Sequence, residues 1–412
     1  MTAPRTLRAD VRTETAESPS GLRLVVHTVD VPSTAVSVAW RNGFRSEKPG
    51  EAGYAHLCEH MLFEGSKMIP RGHYHSAVHR LGGASGAQTR PDFTVFNLCC
   101  QPQRLPALLR QEADRFLRPL FDGTALHDQL QIIRNEIHEK TRAWPPVTED
   151  WAFAPRALFT DFAHSHDGWG DVVDILNATP DSLRSFHSRA YRLDQAAIAV
   201  VGPHRFEDVY DALPAELTSE PPAQRDPAAP CAVLAPRTVR YPGTRNALVW
   251  AVPGRGRSML SPVDTVVMSR LLADRLHRLE GDVQVRFGIF DDPLESADPL
   301  YLSISWPSAS AFRESDLMAV LEKPGMPDTE GIAPLRGRSG QHQFLDEIRT
   351  ASNPRALAQR LAARTLLGNG PTPSQELLDA LRKPLPRAIR QASLRLVETP
   401  CGRLIGAEGT TA

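Results

Sequence analysis

Between Glu220 and Pro230 the chain reads EPPAQRDPAAP, four prolines in eleven residues. Each proline fixes its own φ and lacks a backbone donor, so such a run can join neither a helix nor a central strand. A chain of 412 residues is also longer than one hydrophobic core usually organises. The proline stretch is therefore expected to separate a pair of folding units. The expected division is a loose N-terminus at 1–19, a first domain at 20–217, a linker at 218–230 and a second domain at 231–412. Before the linker, strand patterns at Leu22–Asp30 and Ala35–Trp40 lead to two short helical stretches and a strand at Phe93–Cys99. Helical periodicity follows at Leu105–Leu117, Leu126–Ala143 and Ser182–Tyr191, and an apolar run at Gln195–Val201 reads as a buried strand. After the linker the order recurs. Asn246–Val252 reads as a strand, Val263–Leu279 as a long helix, Gln284–Phe290 and Leu300–Trp306 as strands, and helices continue to the end. The pattern is that of a duplicated α+β unit.

Net charge of −1, with 23% charged and 41% hydrophobic residues, leaves no global field to draw in nucleic acid or an anionic membrane. Any recognition of charge must be local. The opening MTAPRTLRADVRTETAESPS has no apolar core of the kind a leader or anchor needs, and no stretch has the length of a membrane span. Five cysteines, an odd number without a CxxC pair, argue against a disulfide framework. A cytoplasmic location is the expectation.

The string YAHLCEHMLFEG carries the chemistry. Offsets of three and four residues place His56, Glu59, His60 and Phe63 on one helical face, with Leu57, Cys58, Met61 and Leu62 on the other. Two imidazoles one turn apart can hold a single zinc, and a carboxylate between them can serve as the base for an activated water. The order HxxEH is the inverse of the HExxH zinc-peptidase motif. Catalytic zinc takes three protein donors and keeps an open position, so a third ligand is required. The later helix LHDQLQIIRNEIHEK offers Glu136 and Glu139, three residues apart on one face, and the residues alone leave both open.

These residues resemble the pitrilysin/insulinase zinc peptidases, in the short-chain branch of mitochondrial and bacterial processing peptidases. GYAHLCEHMLFEG resembles that family's GxAHxxEHMxFxG, and LGGASGAQTRPDFTVF resembles GGxxNAxTxxDxTxY at Gly82, Gly83, Ala87, Thr89, Asp92 and Thr94, with Gly86 replacing Asn and Phe96 replacing Tyr. The resemblance is clear over about residues 20–210. It implies two homologous α/β-sandwich domains, each a mainly antiparallel sheet packed with helices, forming half of a closed shell. It also implies His56, His60 and Glu136 as zinc ligands, since the family's third ligand lies about seventy-five residues downstream and 136 − 60 = 76. Glu59 then takes the role of general base. Gly86, Ala87, Gln88 and Thr89 resemble the edge strand to which an extended peptide adds by main-chain hydrogen bonds.

Two departures stand out. Many members carry a second Glu two turns before the ligand, where this chain has Gln129, whose amide is expected to support the ligand carboxylate. Catalytic members also carry an Arg/Tyr pair in a passage like SRLFxxLRExxGLAYxV. Here SRLLADRLHRLEGDVQVRFGIF keeps Ser269, Arg270 and Leu271 but places no Tyr after Gly281, and Val283, Gln284 and Val285 occupy that stretch. The resemblance therefore implies a zinc-bearing endopeptidase subunit acting on peptides or small unfolded proteins, joined by a homologous partner that supplies Arg and Tyr. Tyr301 is the alternative source of a phenol. A non-catalytic structural subunit of the same fold is the alternative function. His73, His75 and His79 offer another i,i+4 pair, but with no acidic residue interleaved and a Gly-Gly turn following they are not read as a metal site; His164 and His166 read as loop or cleft-wall residues, and Cys58, Cys99 and Cys100 as packing groups.

Overall fold

The structure, a computed structural model, describes residues 11–142, 149–166, 168, 172–218, 233–241, 243–252, 282–287, 300–322, 352–367 and 398–406. The first sheet contains β1 (Arg12–Glu17), β2 (Arg23–Thr28), β3 (Thr34–Trp40), β4 (Ala84–Thr89), β5 (Thr94–Cys100) and β6 (Ala196–Gly202), in the order β1-β2-β6-β3-β5-β4. Central strands β3 and β6 are buried along their whole length. AAIAVVG shows no alternation because both faces of β6 are covered, which is why it reads as one apolar run.

One face of this sheet carries the helix Pro354–Leu366, whose Ala358, Leu361, Ala362 and Leu366 meet Val25, Ala35, Ala39, Val95, Ala197 and Ala199. The alanines on both sides let helix and sheet approach closely. The opposite face belongs to Trp40 and Phe96, packed on Phe116 of α3 (Leu105–Leu117), while α1 (Tyr54–Met61) and α2 (Tyr74–Arg80) lie beside β4. Arg115 is fully buried there. Its guanidinium pairs with Glu112, lies over the rings of Phe63, Tyr74, Phe96 and Phe116, and shares Glu112 with the Tyr74 hydroxyl. A buried charge needs such partners, since its desolvation is otherwise uncompensated.

The second sheet contains β7 (Thr238–Tyr241), β8 (Arg245–Val252), β9 (Gln284–Phe287), β10 (Leu300–Pro307) and β11 (Gly402–Gly406), in the order β7-β11-β8-β10-β9. It repeats five of the first sheet's six strands, β1 having no counterpart among the described residues. β7 runs parallel to β11 as β2 does to β6, and the pairs β11-β8, β8-β10 and β10-β9 are antiparallel like β6-β3, β3-β5 and β5-β4. The molecule is thus α+β with a duplicated sheet.

The two compact units are interleaved along the chain, where the sequence suggested a single cut. The first holds residues 1–133, 170–228 and 349–371, and the second 134–169, 229–348 and 372–412. The physical reason lies in the covering helices. Pro354–Leu366, from the second half of the chain, covers the first sheet. α5 (Glu149–Leu158), from the first half, covers the second through Ala154, Ala157 and Leu158 against Tyr241, Ala247, Val249 and Leu404. The proline-rich stretch and the expected helix Val263–Leu279 lie outside the described residues. No helix among the described residues is long and apolar enough to cross a membrane.

Candidate metal centre

The HxxEH helix α1 starts at Gly53, whose φ of 97° lies in the left-handed region that favours glycine. The buried Glu47 carboxylate accepts from the backbone N–H of Gly53 at 2.9 Å and of Ala55 at 2.7 Å. It thereby caps the helix and places a negative charge where the helix dipole is positive. Leu57, Cys58, Met61 and Leu62 are all buried, the apolar face expected from the sequence. Burying each of the larger three contributes about 1.5–3 kcal/mol, which anchors the polar face. Burial also pushes the Cys58 thiol well up, so it stays protonated and inert.

On the polar face the Nε2 atoms of His56 and His60 stand 3.2 Å apart. Two nitrogens on adjacent corners of a tetrahedron drawn about 2.0–2.1 Å from a zinc would lie roughly 3.3–3.4 Å apart. The third participant comes from α4 (Gly123–Arg142), whose Leu126, Leu130 and Ile133 are buried. Donor atoms of His56, His60 and Glu136 all lie within 4.8 Å of one another. Glu139 is exposed and outside this group. Two imidazoles and one carboxylate are a donor set suited to catalytic zinc, so the residues fit the ion.

Around the trio, Glu59 is 8% exposed and its Oε2 accepts from the Thr89 hydroxyl at 2.6 Å. β4 therefore touches the centre directly. It is the terminal strand of its sheet among the described residues. Thr89 and Ser85 face the helices α1 and α2, while Gly86 and Gln88 face Pro354–Leu366, where Gln359 donates to Gln88 at 3.1 Å. Ala87 lies between them in sequence, opposite Phe96 in register. The turn that follows is held by Asp92, which accepts two hydrogen bonds from Arg45 at 3.0 and 3.2 Å, and by Thr94, which donates to the Asn42 carbonyl at 2.6 Å.

Gln129 differs from expectation. Its Oε1 lies 2.9 Å from His60 Nδ1, and its Nε2 donates to Glu64 Oε1 at 2.6 Å. The amide thus addresses a histidine, where the sequence suggested the ligand carboxylate. Glu47 and Glu64 are the residues that sequence reasoning missed. Nothing local marks Glu47, but Glu64 lies four residues after His60, a spacing that could have revealed it. The remaining histidines are used otherwise: His164 Nδ1 meets Asp161 at 2.6 Å, His166 Nδ1 meets the Phe162 carbonyl, and His73 the Arg71 carbonyl. Residues 253–281, which include Ser269, Arg270, Leu271 and Gly281, lie outside the described residues, as does the Tyr301 side chain. Val283 is buried, and Gln284 and Val285 pair with Ser305 and Ile304.

Residues 24–155 match the family described as Insulinase (Peptidase family M16). Over that stretch the chain is similar to the insulinase family. Among its relatives, the insulin-degrading enzyme of Drosophila melanogaster is 27% identical over 204 residues, 46% of this chain and 20% of the relative. The zinc protease PqqE of Helicobacter pylori is 26% identical over 179 residues, 43% of this chain and 39% of the relative. The chain therefore spans less than half the length of either relative. The first half of the periplasmic protease PqqL from Escherichia coli superposes with a TM-score of 0.74 at 17% identity, over 96% of this chain and 92% of that one. The fold is that of the first half of that protease.

Proposed function

We propose that this chain is the zinc-holding subunit of an M16 endopeptidase. The observation that carries the reading is the convergence of His56, His60 and Glu136 beside the Glu59 carboxylate. In this proposal His56, His60 and Glu136 hold the ion, which when bound would polarise a peptide carbonyl and make a water easier to deprotonate. Glu59 accepts the proton of that water and returns it to the departing amine. Thr89 orients Glu59 for the task through its 2.6 Å hydrogen bond. Gln129 positions His60 through Nδ1.

The substrate is a peptide or small unfolded protein that extends β4. Backbone groups of Gly86, Ala87, Gln88 and Thr89 would pair with it, so that alternate substrate side chains face α1. Because pairing uses the main chain, the mode tolerates varied sequences. A homologous partner subunit bearing Arg and Tyr would complete the site by aiming donors at the developing oxyanion. Free thiols at Cys58, Cys99, Cys100 and Cys401 agree with a reducing compartment such as the cytoplasm.

Elemental analysis combined with peptide cleavage tests the assignment. About one zinc per chain is expected. Glu59→Gln should keep the metal and lose cleavage by at least about a hundredfold, because the isosteric amide cannot take a proton. Glu136→Gln should instead lower the zinc content. Loss of zinc in the first variant with retention in the second would reverse the two roles.

A further inference from the structure

Glu64 lies four residues beyond His60, just past the C-terminus of the HxxEH helix, and no role attaches to it in the reading above. Its two oxygens are engaged on opposite sides. Oε1 accepts from Gln129 Nε2 at 2.6 Å, and Oε2 lies 3.6 Å from Arg71 Nε. Arg71 in turn pairs with Asp128 on α4. The other end of the Gln129 amide lies 2.9 Å from His60 Nδ1. Gln129 is 9% exposed, so bulk water does not compete freely for the amide.

The proton logic of this chain is determined by chemistry. An ionised carboxylate only accepts, so Glu64 requires the NH2 end of Gln129 to face it. The amide oxygen must then face His60, and an oxygen there requires a proton on Nδ1. That leaves Nε2 of neutral His60 with its lone pair directed to the point it shares with His56 Nε2, 3.2 Å away. An imidazole protonated at Nε2 could not ligate through that atom. We propose that Glu64 is a positioning residue that acts through Gln129 to fix the His60 tautomer and so tighten zinc binding. A carboxylate is still present behind the histidine ligand, one amide further away. The inference rests on His60 being a zinc ligand, but its central claim about the proton can be read without metal.

The tests use the full chain. In the zinc-free protein, ¹⁵N-resolved spectra should show neutral His60 protonated at Nδ1. Competition with a chromophoric chelator at fixed pH should show that Glu64→Gln raises the zinc Kd about tenfold, the lower end of the range for residues supporting a ligand. With two amides facing each other, neither orientation of Gln129 is enforced. The exchange variant Glu64→Gln/Gln129→Glu keeps both hydrogen bonds with acid and amide swapped, and should bring Kd back to within about threefold of the wild type. Three results would each overturn the proposal: zinc-free His60 protonated at Nε2, a Glu64→Gln Kd within about twofold of wild type, or an exchange variant no tighter than Glu64→Gln. If the wild type takes up no zinc, the metal-centre reading fails, and the His60 proton remains a separate test of the relay in a protein that needs no substitution.

Discussion

His187 shows how one side chain couples fold and pH. It stacks on Tyr191 with ring centroids 4.8 Å apart and meets the edge of Phe121, and desolvation there lowers its pKa from 6.5 to about 4. A base with a depressed folded pKa binds fewer protons when folded, so stability rises with pH wherever the unfolded chain is protonated. Above about pH 6.5 the imidazole is neutral in both states and its contribution is complete. As pH falls from about 6.5 toward 4, the unfolded state gains a proton that the folded state refuses, a loss on the order of 2–3 kcal/mol. Thermal unfolding between pH 7 and 4 should show this slope, and His187→Asn should flatten it. An unchanged slope in the variant would assign the acid sensitivity to other groups. At the same scale, Glu59, His56 and His60 were legible because two histidines and a glutamate stand at helical spacing. Glu64 and Glu47 were less so, because their roles depend on Gln129 and on the backbone of Gly53, which sequence spacing does not bring together.

On the proposed reading, strand β4 and its lead-in turn set the distance between a bound peptide and the candidate metal centre. Of the two glycines that open it, Gly83 has no room for a Cβ, which would stand 1.9 Å from the Cys99 carbonyl oxygen. Within β4, a Cβ on Gly86 would meet the end of the Arg355 side chain at 2.9 Å. Backbone cannot yield cheaply, whereas a flexible guanidinium can swing aside. Gly83→Ala should therefore cost about 3 kcal/mol or more, and Gly86→Ala less than about 1 kcal/mol, in chemical denaturation. Similar losses for both would mean that Arg355 is held as firmly as main chain. The strand itself was expected only from the motif resemblance at Gly82–Thr94. The helix covering its sheet was not, because Pro354–Leu366 lies more than 260 residues away in sequence and meets the neighbouring strands largely through small side chains that permit close packing.

For the whole molecule, duplication makes β9 the counterpart of β4 at the same end of the same strand order. The second sheet thus repeats the architecture of the first, while the candidate metal ligands lie on α1 and α4. On the proposed reading, catalysis needs a partner with the donors missing from the stretch Val283–Val285. Cleavage of an unfolded peptide should rise by at least about tenfold when a homologous chain bearing Arg and Tyr is added, in keeping with the 10²–10³-fold effect of removing one oxyanion donor. Efficient cleavage by the isolated chain, indifferent to the partner, would sink the heterodimer and turn attention to Tyr301.

The sequence alone determined the duplicated α+β order, the HxxEH face and the two candidate carboxylates on the later helix, because each is expressed in periodicity within one element. Tertiary structure decided the rest. It gathered Glu136 with the two histidines and left Glu139 exposed, turned Gln129 toward His60 with Glu64 behind it, and gave each sheet a covering helix from the other half of the chain. Those outcomes depend on which distant surfaces fit together, and an alanine-rich helix face carries no local mark of the sheet it will cover.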